Sequence, residues 1–369
     1  MPNLPRLFSR PVRTIHCVGV GGMGLGPLAI YLAGAGYEVS GEDEALTSGM
    51  RVQLVRAGVA VKSLPESCDL LVHTSAAGAS HPVLQAAARR RISLVRRGVL
   101  LAEATRGRKL VAVCGSHGKT TTTAMLITVL RTTGLPAGYV LGGLFGDDTP
   151  PAAYGSGDWV VAEVDESDGT IEAFTPEMTV AVNLDWDHPD HYRDPAALEA
   201  AFVGLFARTR GPVLVSDACA GSARVAPRAR TFGWRGTFRG EPVAESDGRQ
   251  TLRLGGTFPA IDAVVQASGA FNAANATAAL AAAQLMGAEI TSYVLAGYSG
   301  VRRRQTVLKS DQGLTVIEDY AHHPAEIRAL LGSLRSRAGV QRLLVVFQDR
   351  KSTRLNSSHS QQSRMPSSA

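Results

Sequence analysis

Short apolar runs, each closed by glycines or acidic residues, alternate along the chain with longer stretches of helical character. Residues 14–20 (TIHCVGV) read as a buried strand that enters the turn Gly19-Val-Gly-Gly-Met-Gly-Leu-Gly26. A helix over 27–35 and a second strand over 36–40 follow, so this stretch is a strand–helix–strand unit with a Gly-x-Gly-x-x-Gly turn. Residues 70–75 read as a strand and 83–91 as a helix. After Arg106-Gly-Arg-Lys109 the alternation resumes, with strands at 110–113, 159–164, 178–184 and 213–216 and helices at 121–130, 195–207 and, Ala-rich, 271–286. A hinge is expected at Val301-Arg-Arg-Arg304, then a strand at 314–318, a helix at 324–335 and a strand at 343–347. This order predicts an α/β protein of mostly parallel sheets covered by helices. The expected domains are 1–107, 108–300 and 301–348, the last being only the start of a third α/β domain.

From Asp349 the pattern stops. Residues 349–369 hold seven Ser, no Phe, Tyr or Trp and no periodicity, too little to order a fold. They are expected to be a disordered, non-native end standing in place of the rest of the third domain. A length of 369 residues fits two or three domains, and 45% apolar with 19% charged residues fits a globular protein. No apolar run approaches the ~20 residues of a membrane span, and residues 1–13 lack the apolar core of a signal peptide. The four cysteines (17, 68, 114 and 219) are dispersed, which predicts reduced thiols in the cytoplasm. Of the formal charge of +6, residues 349–369 contribute +3, leaving +3 for the rest. With no basic stripe interleaved with aromatics, neither nucleic acid nor membrane is an expected partner. Nothing in the sequence sets the oligomeric state.

The stretch Val111-Ala-Val-Cys-Gly-Ser-His-Gly-Lys-Thr-Thr-Thr-Thr123 carries the most chemistry. A strand, a Gly-x-x-Gly-Lys-Thr turn and a helix start are the context of a phosphate-binding loop, in which backbone N–H groups and the helix N-terminus converge on phosphate oxygens. Lys119 is placed to reach the β- and γ-phosphates and Thr120 to ligate Mg²⁺. Val113 stands where the longer pattern has its first glycine. Only five of the 38 basic residues are Lys, so a Lys here is selected for its compact charge. Two acidic segments follow strands. Glu163, Asp165, Glu166 and Asp168 put four carboxylates within six residues, suited to Mg²⁺ with phosphates completing the shell. Asn183-Leu-Asp-Trp-Asp-His-Pro-Asp-His191 offers a second oxygen-rich Mg²⁺ site with His188 as imidazole ligand; the His188/His191 pair also admits zinc, and a plain acidic loop is the bland reading. Asn272 and Asn275 suit either an adenine edge or helix capping. His322 and His323 suit either a ligand contact or a cap. The acidic pair Glu42/Asp43 sits where a dinucleotide fold places its ribose partner, although a UDP-sugar diphosphate satisfies the same glycine turn.

The ordered set Gly115–Thr122, Glu163–Asp168, Asn183–His188, Asn272-x-x-Asn275, Arg303-Arg304 and Asp319-Tyr-Ala-His-His-Pro324 resembles the Mur ligases over residues 13–348. That resemblance implies a Rossmann-like UDP-binding domain, a central P-loop ATPase domain and a Rossmann-like C-terminal domain, partial in this chain. It implies ATP and Mg²⁺ as cofactors and an acyl-phosphate route to an amide bond in peptidoglycan precursor synthesis. The substrates implied are UDP-N-acetylmuramate and L-alanine; a tripeptide-recycling ligase, a nicotinamide-dependent oxidoreductase and a truncated nucleotide-binding form are the alternatives. The implied catalytic residues are Lys119, His188 and Glu163, with Thr120, Glu163 and His188 on metal. ATP is expected on Gly115, Ser116, His117, Gly118, Lys119, Thr120, Thr121, Asn272, Asn275, Arg304 and Asp319. UDP is expected on Gly19, Gly21, Gly22, Gly24, Ser40, Asp43, Thr74 and Ser75. Phe271 replaces the family's usual His, and no Lys falls between Lys119 and Lys309, as in alanine-adding members.

Overall fold

The first apolar run folds as the strand Thr14–Val18, buried over its last four residues. It is the centre of a five-stranded, all-parallel sheet whose order is Ala60–Val61, Glu38–Glu42, Thr14–Val18, Leu70–His73, Ser93–Arg96. The chain leaves the central strand toward one edge and returns on the other side. Its carboxyl end, where Gly19 turns, is therefore the switch point at which open α/β sheets open a crevice. The computed structural model describes residues 6–167, 169–186, 191–219, 221–246, 248–311, 313–337 and 340–348.

The larger sheet has ten strands. Its strand Lys109–Cys114, buried over its last five residues, lies between Trp159–Glu163 and Met178–Ala181, both parallel to it. Val113 pairs with Glu163 and Cys114 with Ala181, so all three strands end at one level. The loops that leave them are thereby gathered at one rim. The helix Lys119–Thr132, buried almost throughout, packs with the Ala-rich helix Ala270–Met286 in one core. Alanine faces let the two backbones approach closely. Past Val213–Ser216 and Arg230–Gly233, the sheet ends in the antiparallel strands Phe238–Ser246, Arg249–Gly256 and Asp262–Val265.

A second core joins the two sheets. Ile15 of the smaller sheet and Val160 and Ala162 of the larger belong to it, with Leu25, Leu28 and Phe202 from helices. Arg108 lies at the same junction. Its guanidinium donates to Tyr31 Oη at 3.0 Å, to the Trp159 carbonyl at 2.9 Å and to the carbonyls of Tyr154 and Gly157. It also lies 4.9 Å from the centre of the Tyr154 ring.

Residues up to Glu318 form one compact unit and those from Asp319 a second. The expected strand at 314–318 is present, but as one arm of an antiparallel hairpin with Thr306–Asp311. In the second unit the helix Pro324–Arg335 starts with a capping box: His323 Nδ1 accepts from the Ala325 N–H, and Glu326 accepts from the His323 N–H. Of the two readings of His323, the structure shows the cap. The strand expected at 343–347 is not there; residues 340–348 take no regular structure. Leu344 and Val346 are 79% and 92% exposed. A strand forms only against a neighbouring backbone, and among the described residues none pairs with this apolar run. No helix among the described residues is long and apolar enough to cross a membrane.

Candidate active site

The turn after Lys109–Cys114 is shaped by two glycines in the left-handed region. Gly115 has φ +122° and Gly118 φ +78°. A Cβ on Gly118 would meet Asn275 Oδ1 at 2.6 Å, so the Ala-rich helix is seated directly on the loop. Asn183, at the end of the neighbouring strand, ties the loop down from the other side: its Oδ1 accepts from the His117 N–H at 3.0 Å and its Nδ2 donates to the His117 carbonyl at 2.8 Å. Ser116 Oγ donates to the Asp185 carbonyl. Gly118→Ala is expected to lower stability by about 1–2 kcal/mol from the left-handed backbone alone. It should weaken ATP binding as well; thermal unfolding and calorimetric titration of the variant check both.

Lys119 opens the helix, and its ammonium is fully engaged within the loop. Nζ donates to the Gly115 carbonyl at 2.6 Å and to both carboxylate oxygens of Glu166 at 3.1 Å. Glu166 is completely buried. Thr120 Oγ1 donates to Glu163 Oε1 at 3.1 Å, and Glu163 Oε2 accepts from the Gly142 N–H at 3.1 Å. Asp165 lies 3.7 Å from the Arg97 guanidinium. Two cations therefore stand among three carboxylates. Burial opposes the charge on Lys119, but Glu166, Asp165 and Glu163 together raise its pKa. Burial also works against ionised Asp165, yet Lys119 and Arg97 bring it down to about 2. Glu166 is pushed up to about 7, chiefly by burial and further by Asp165, against the pull of Lys119.

A carboxyl whose folded pKa is raised stabilises the fold most when both states are protonated. That contribution is lost as pH rises from the ordinary glutamate value through about 7. Relative to Glu166→Gln, the wild-type protein should lose about 1–3 kcal/mol of unfolding free energy over that window. Denaturant titrations at a series of pH values check this. His16, brought down to about 4 by burial and by Lys62, acts in the opposite sense, but it is common to both proteins and cancels in the comparison.

The glycine turn of the smaller sheet closes on itself. Gly19 has φ +90° and packs against Thr74. The Gly21 N–H donates to Asp43 Oδ2 at 2.9 Å, and Asp43 Oδ1 accepts from the Ala45 N–H at 2.8 Å. A cavity of about 270 Å³ opens beside the turn. Gly24, Thr74 and Ser75 line it from the smaller sheet, Gly142, Glu163 and Asp165 from the larger one, and Arg97 bridges the two sets. The acids that close the phosphate loop thus share a cavity with the glycine turn.

The same organisation exists elsewhere. Residues 14–109 match the family described as "Mur ligase family, catalytic domain", 113–283 the "Mur ligase middle domain", and 302–362 the "Mur ligase, glutamate ligase domain". A UDP-N-acetylmuramate–L-alanine ligase of Kineococcus radiotolerans is 38% identical over 357 residues, covering 90% of this chain and 75% of that one. The chain belongs to the Mur ligase family. The enzyme of the same name from Sorangium cellulosum is 36% identical, over 94% of this chain and 78% of its own. The solved UDP-N-acetylmuramate-alanine ligase of Thermotoga maritima superposes with a TM-score of 0.76 at 27% identity, covering 87% of this chain and 77% of that one. A murein peptide ligase from Psychrobacter arcticus shares the fold, with a TM-score of 0.70 at 23% identity over 89% of this chain and 77% of its own.

In this Mur ligase, Gly115 to Thr121 and Glu163 are gathered at one rim, and Gly24, Thr74 and Ser75 reach the shared cavity. Others of the expected residues are committed to internal bonds. Ser40 is buried, with its hydroxyl 2.9 Å from His16 Nδ1. Asp43 holds its own turn. Asn272 and Asn275 are buried in the first turns of their helix; Asn275 Oδ1 accepts from Thr122 Oγ1 at 3.2 Å, Asn275 Nδ2 donates to Asn272, and Asn272 Nδ2 donates to the Ser268 carbonyl at 2.9 Å. They are not helix caps, since Gly269 holds that position. Arg304 sits in the turn at 301–304, its N–H donating to the Val301 carbonyl. Asp319 belongs to the second unit, where Oδ1 accepts from the Ala321 N–H at 2.7 Å. His188 and Asp168 lie outside the described residues. Sequence reasoning did not single out Asn183 as the loop's anchor, Glu166 as the partner of Lys119, or Arg97. The first two could have been anticipated, since each follows a strand that must flank Lys109–Cys114; Arg97 had no signal of its own.

Proposed function

We propose that this chain is an ATP-dependent ligase that joins L-alanine to UDP-N-acetylmuramate in peptidoglycan precursor synthesis, in the cytoplasm. The observation that carries the reading is the single cavity that places the glycine turn next to Glu163 and Asp165, beside a phosphate loop that ends in Lys119 and Thr120. The lactyl carboxylate of the sugar attacks the γ-phosphorus of ATP and ADP leaves. The amine of L-alanine then adds to the acyl phosphate; phosphate leaves and the amide closes. The chain's part is positioning and charge neutralisation. Lys119 exchanges Glu166 for phosphate oxygens. The loop N–H groups and the start of the helix Lys119–Thr132 face the same anion.

Mg²⁺ suits the donor set. Thr120 Oγ1 and Glu163 Oε1 are hard oxygens already 3.1 Å apart. Mg²⁺ takes few protein oxygens and completes its shell with phosphates and water. When bound, the ion neutralises charge on the transferring phosphoryl group. We assign Thr120 and Glu163 to one such ion and His188, which lies outside the described residues, to a second. The expected domains, 1–107, 108–300 and 301–348, belong to the same proposal.

The test is phosphate release from ATP with the two substrates offered singly and together. Release that needs both UDP-N-acetylmuramate and L-alanine supports the reading. Release that requires the murein tripeptide in place of L-alanine moves the chain to the recycling reaction. Reduction of a nicotinamide cofactor would sink it.

A further inference from the structure

We propose that Arg97 is the cationic side chain that receives the diphosphate of the nucleotide-sugar substrate. This rests on the reading above and adds to it a residue that no sequence signal marked. Arg97 begins the helix Arg97–Ala104, after the last strand of the smaller sheet. Its stem lies on the glycine turn: a Cβ at Gly24 would meet Arg97 Cδ at 2.9 Å. Gly24 is the N-cap of the helix Leu25–Gly34 and offers no side-chain cap bond of its own. The start of that helix is therefore roofed by a guanidinium and has no side-chain oxygen from its cap residue in the way of an anion.

The cavity makes the assignment specific. Among the described residues that line it, Arg97 is the only cation; it pairs with Asp165, and Glu163 lines the same cavity. A substrate bearing a diphosphate and a carboxylate cannot enter a cavity lined by two acids unless a positive group compensates. The Arg97 side chain is only 14% exposed, so its charge is little screened by solvent. Asp165, 3.7 Å away, holds the guanidinium from the larger-sheet side and acts as a positioning residue through Arg97. A guanidinium can bind two phosphate oxygens at once, which an ammonium cannot. Thr74 and Ser75, at the same wall, add hydroxyl donors.

The experiment is calorimetric titration of the full chain, without ATP or Mg²⁺, with UDP, UDP-N-acetylglucosamine and UDP-N-acetylmuramate. Arg97→Gln is expected to weaken all three by a common factor of about ten to a hundred, the range for a hydrogen bond to a charged group. Arg97→Lys keeps the stem and the charge but not the fork, and should recover part of that loss. UDP affinity in Arg97→Gln within twofold of wild type overturns the proposal. So does a loss confined to UDP-N-acetylmuramate, which would give Arg97 to the carboxylate. Should Arg97→Gln fail to fold, Arg97→Lys decides, and an unchanged UDP affinity there overturns the assignment. Wild-type protein that binds none of the three defeats the nucleotide-sugar reading itself, and this one with it; a loss seen only in the variants leaves that reading standing.

Discussion

Replacing Lys119 by alanine should lower the rate of substrate-dependent phosphate release by about a hundredfold to a thousandfold, the size of effect seen when one preorganised charge donor is removed from a reacting oxyanion. The variant will also be less stable, and the two effects must be separated. Lys119 is the partner of both oxygens of a fully buried Glu166. Taking one member of a buried pair away leaves an uncompensated charge, at a cost of about 3–5 kcal/mol. Glu166 will answer in part by binding a proton more tightly. Combining Lys119→Ala with Glu166→Gln should therefore restore most of the unfolding free energy while leaving the enzyme inactive. Near-normal phosphate release in the single variant would remove the phosphate-loop assignment. Equal inactivity with no stability change would show that the pair contributes nothing to the fold.

Glu163→Gln should have the second-largest effect. The amide keeps the volume and can still accept from the Thr120 hydroxyl or the Gly142 N–H, both now bonded to Glu163 at 3.1 Å. What it loses is the negative charge with which Glu163 would hold magnesium in the proposed mechanism. The rate at saturating ATP is expected to fall about a hundredfold. The Mg²⁺ concentration needed for half-maximal rate should rise, because the remaining oxygen ligands are neutral or belong to the substrates. Rate measured across a magnesium titration checks this. A drop in rate with an unchanged magnesium requirement would show that Glu163 only holds the loop.

The strands of the parallel cores were legible because a strand buried on both faces is a continuous apolar run. Residues 213–216 fell where expected, and the glycine turns after residues 18 and 114 announced themselves; 314–318 also formed a strand, but in an exposed antiparallel hairpin. The antiparallel end of the large sheet was not seen. Phe238–Ser246 and Arg249–Gly256 carry charged and polar residues on their exposed face, and the dipeptide Asp-Gly in the sequence between them is a hairpin signal that went unused. Residues 343–347 misled for the opposite reason: β-branched, apolar composition describes what a strand can pack, not whether a partner strand is there. The site divided along similar lines. Backbone-shaping residues such as Gly115 and Gly118 are local and readable. Ser40, Asn272 and Asn275 have side chains that serve either a ligand or the interior, and their type alone does not foretell the internal bonds they make in this structure. Arg97 was invisible because its meaning comes from Gly24 and Asp165, 73 and 68 positions away in sequence.

The core shared by the two sheets, with Arg108 bound to Tyr31 on one side and to the 154–159 segment on the other, bears on how such enzymes can be recombined. A chimaera that crosses from one homologue to another near residue 107 would splice two half-interfaces that never co-adapted, and both donors' apolar faces would meet strangers. Crossovers after the 306–318 hairpin leave that interior intact. Shuffled libraries should be rich in viable clones at the second seam and poor at the first. Exchange of nucleotide-sugar preference would then have to proceed through clusters of substitutions rather than by grafting a whole front segment.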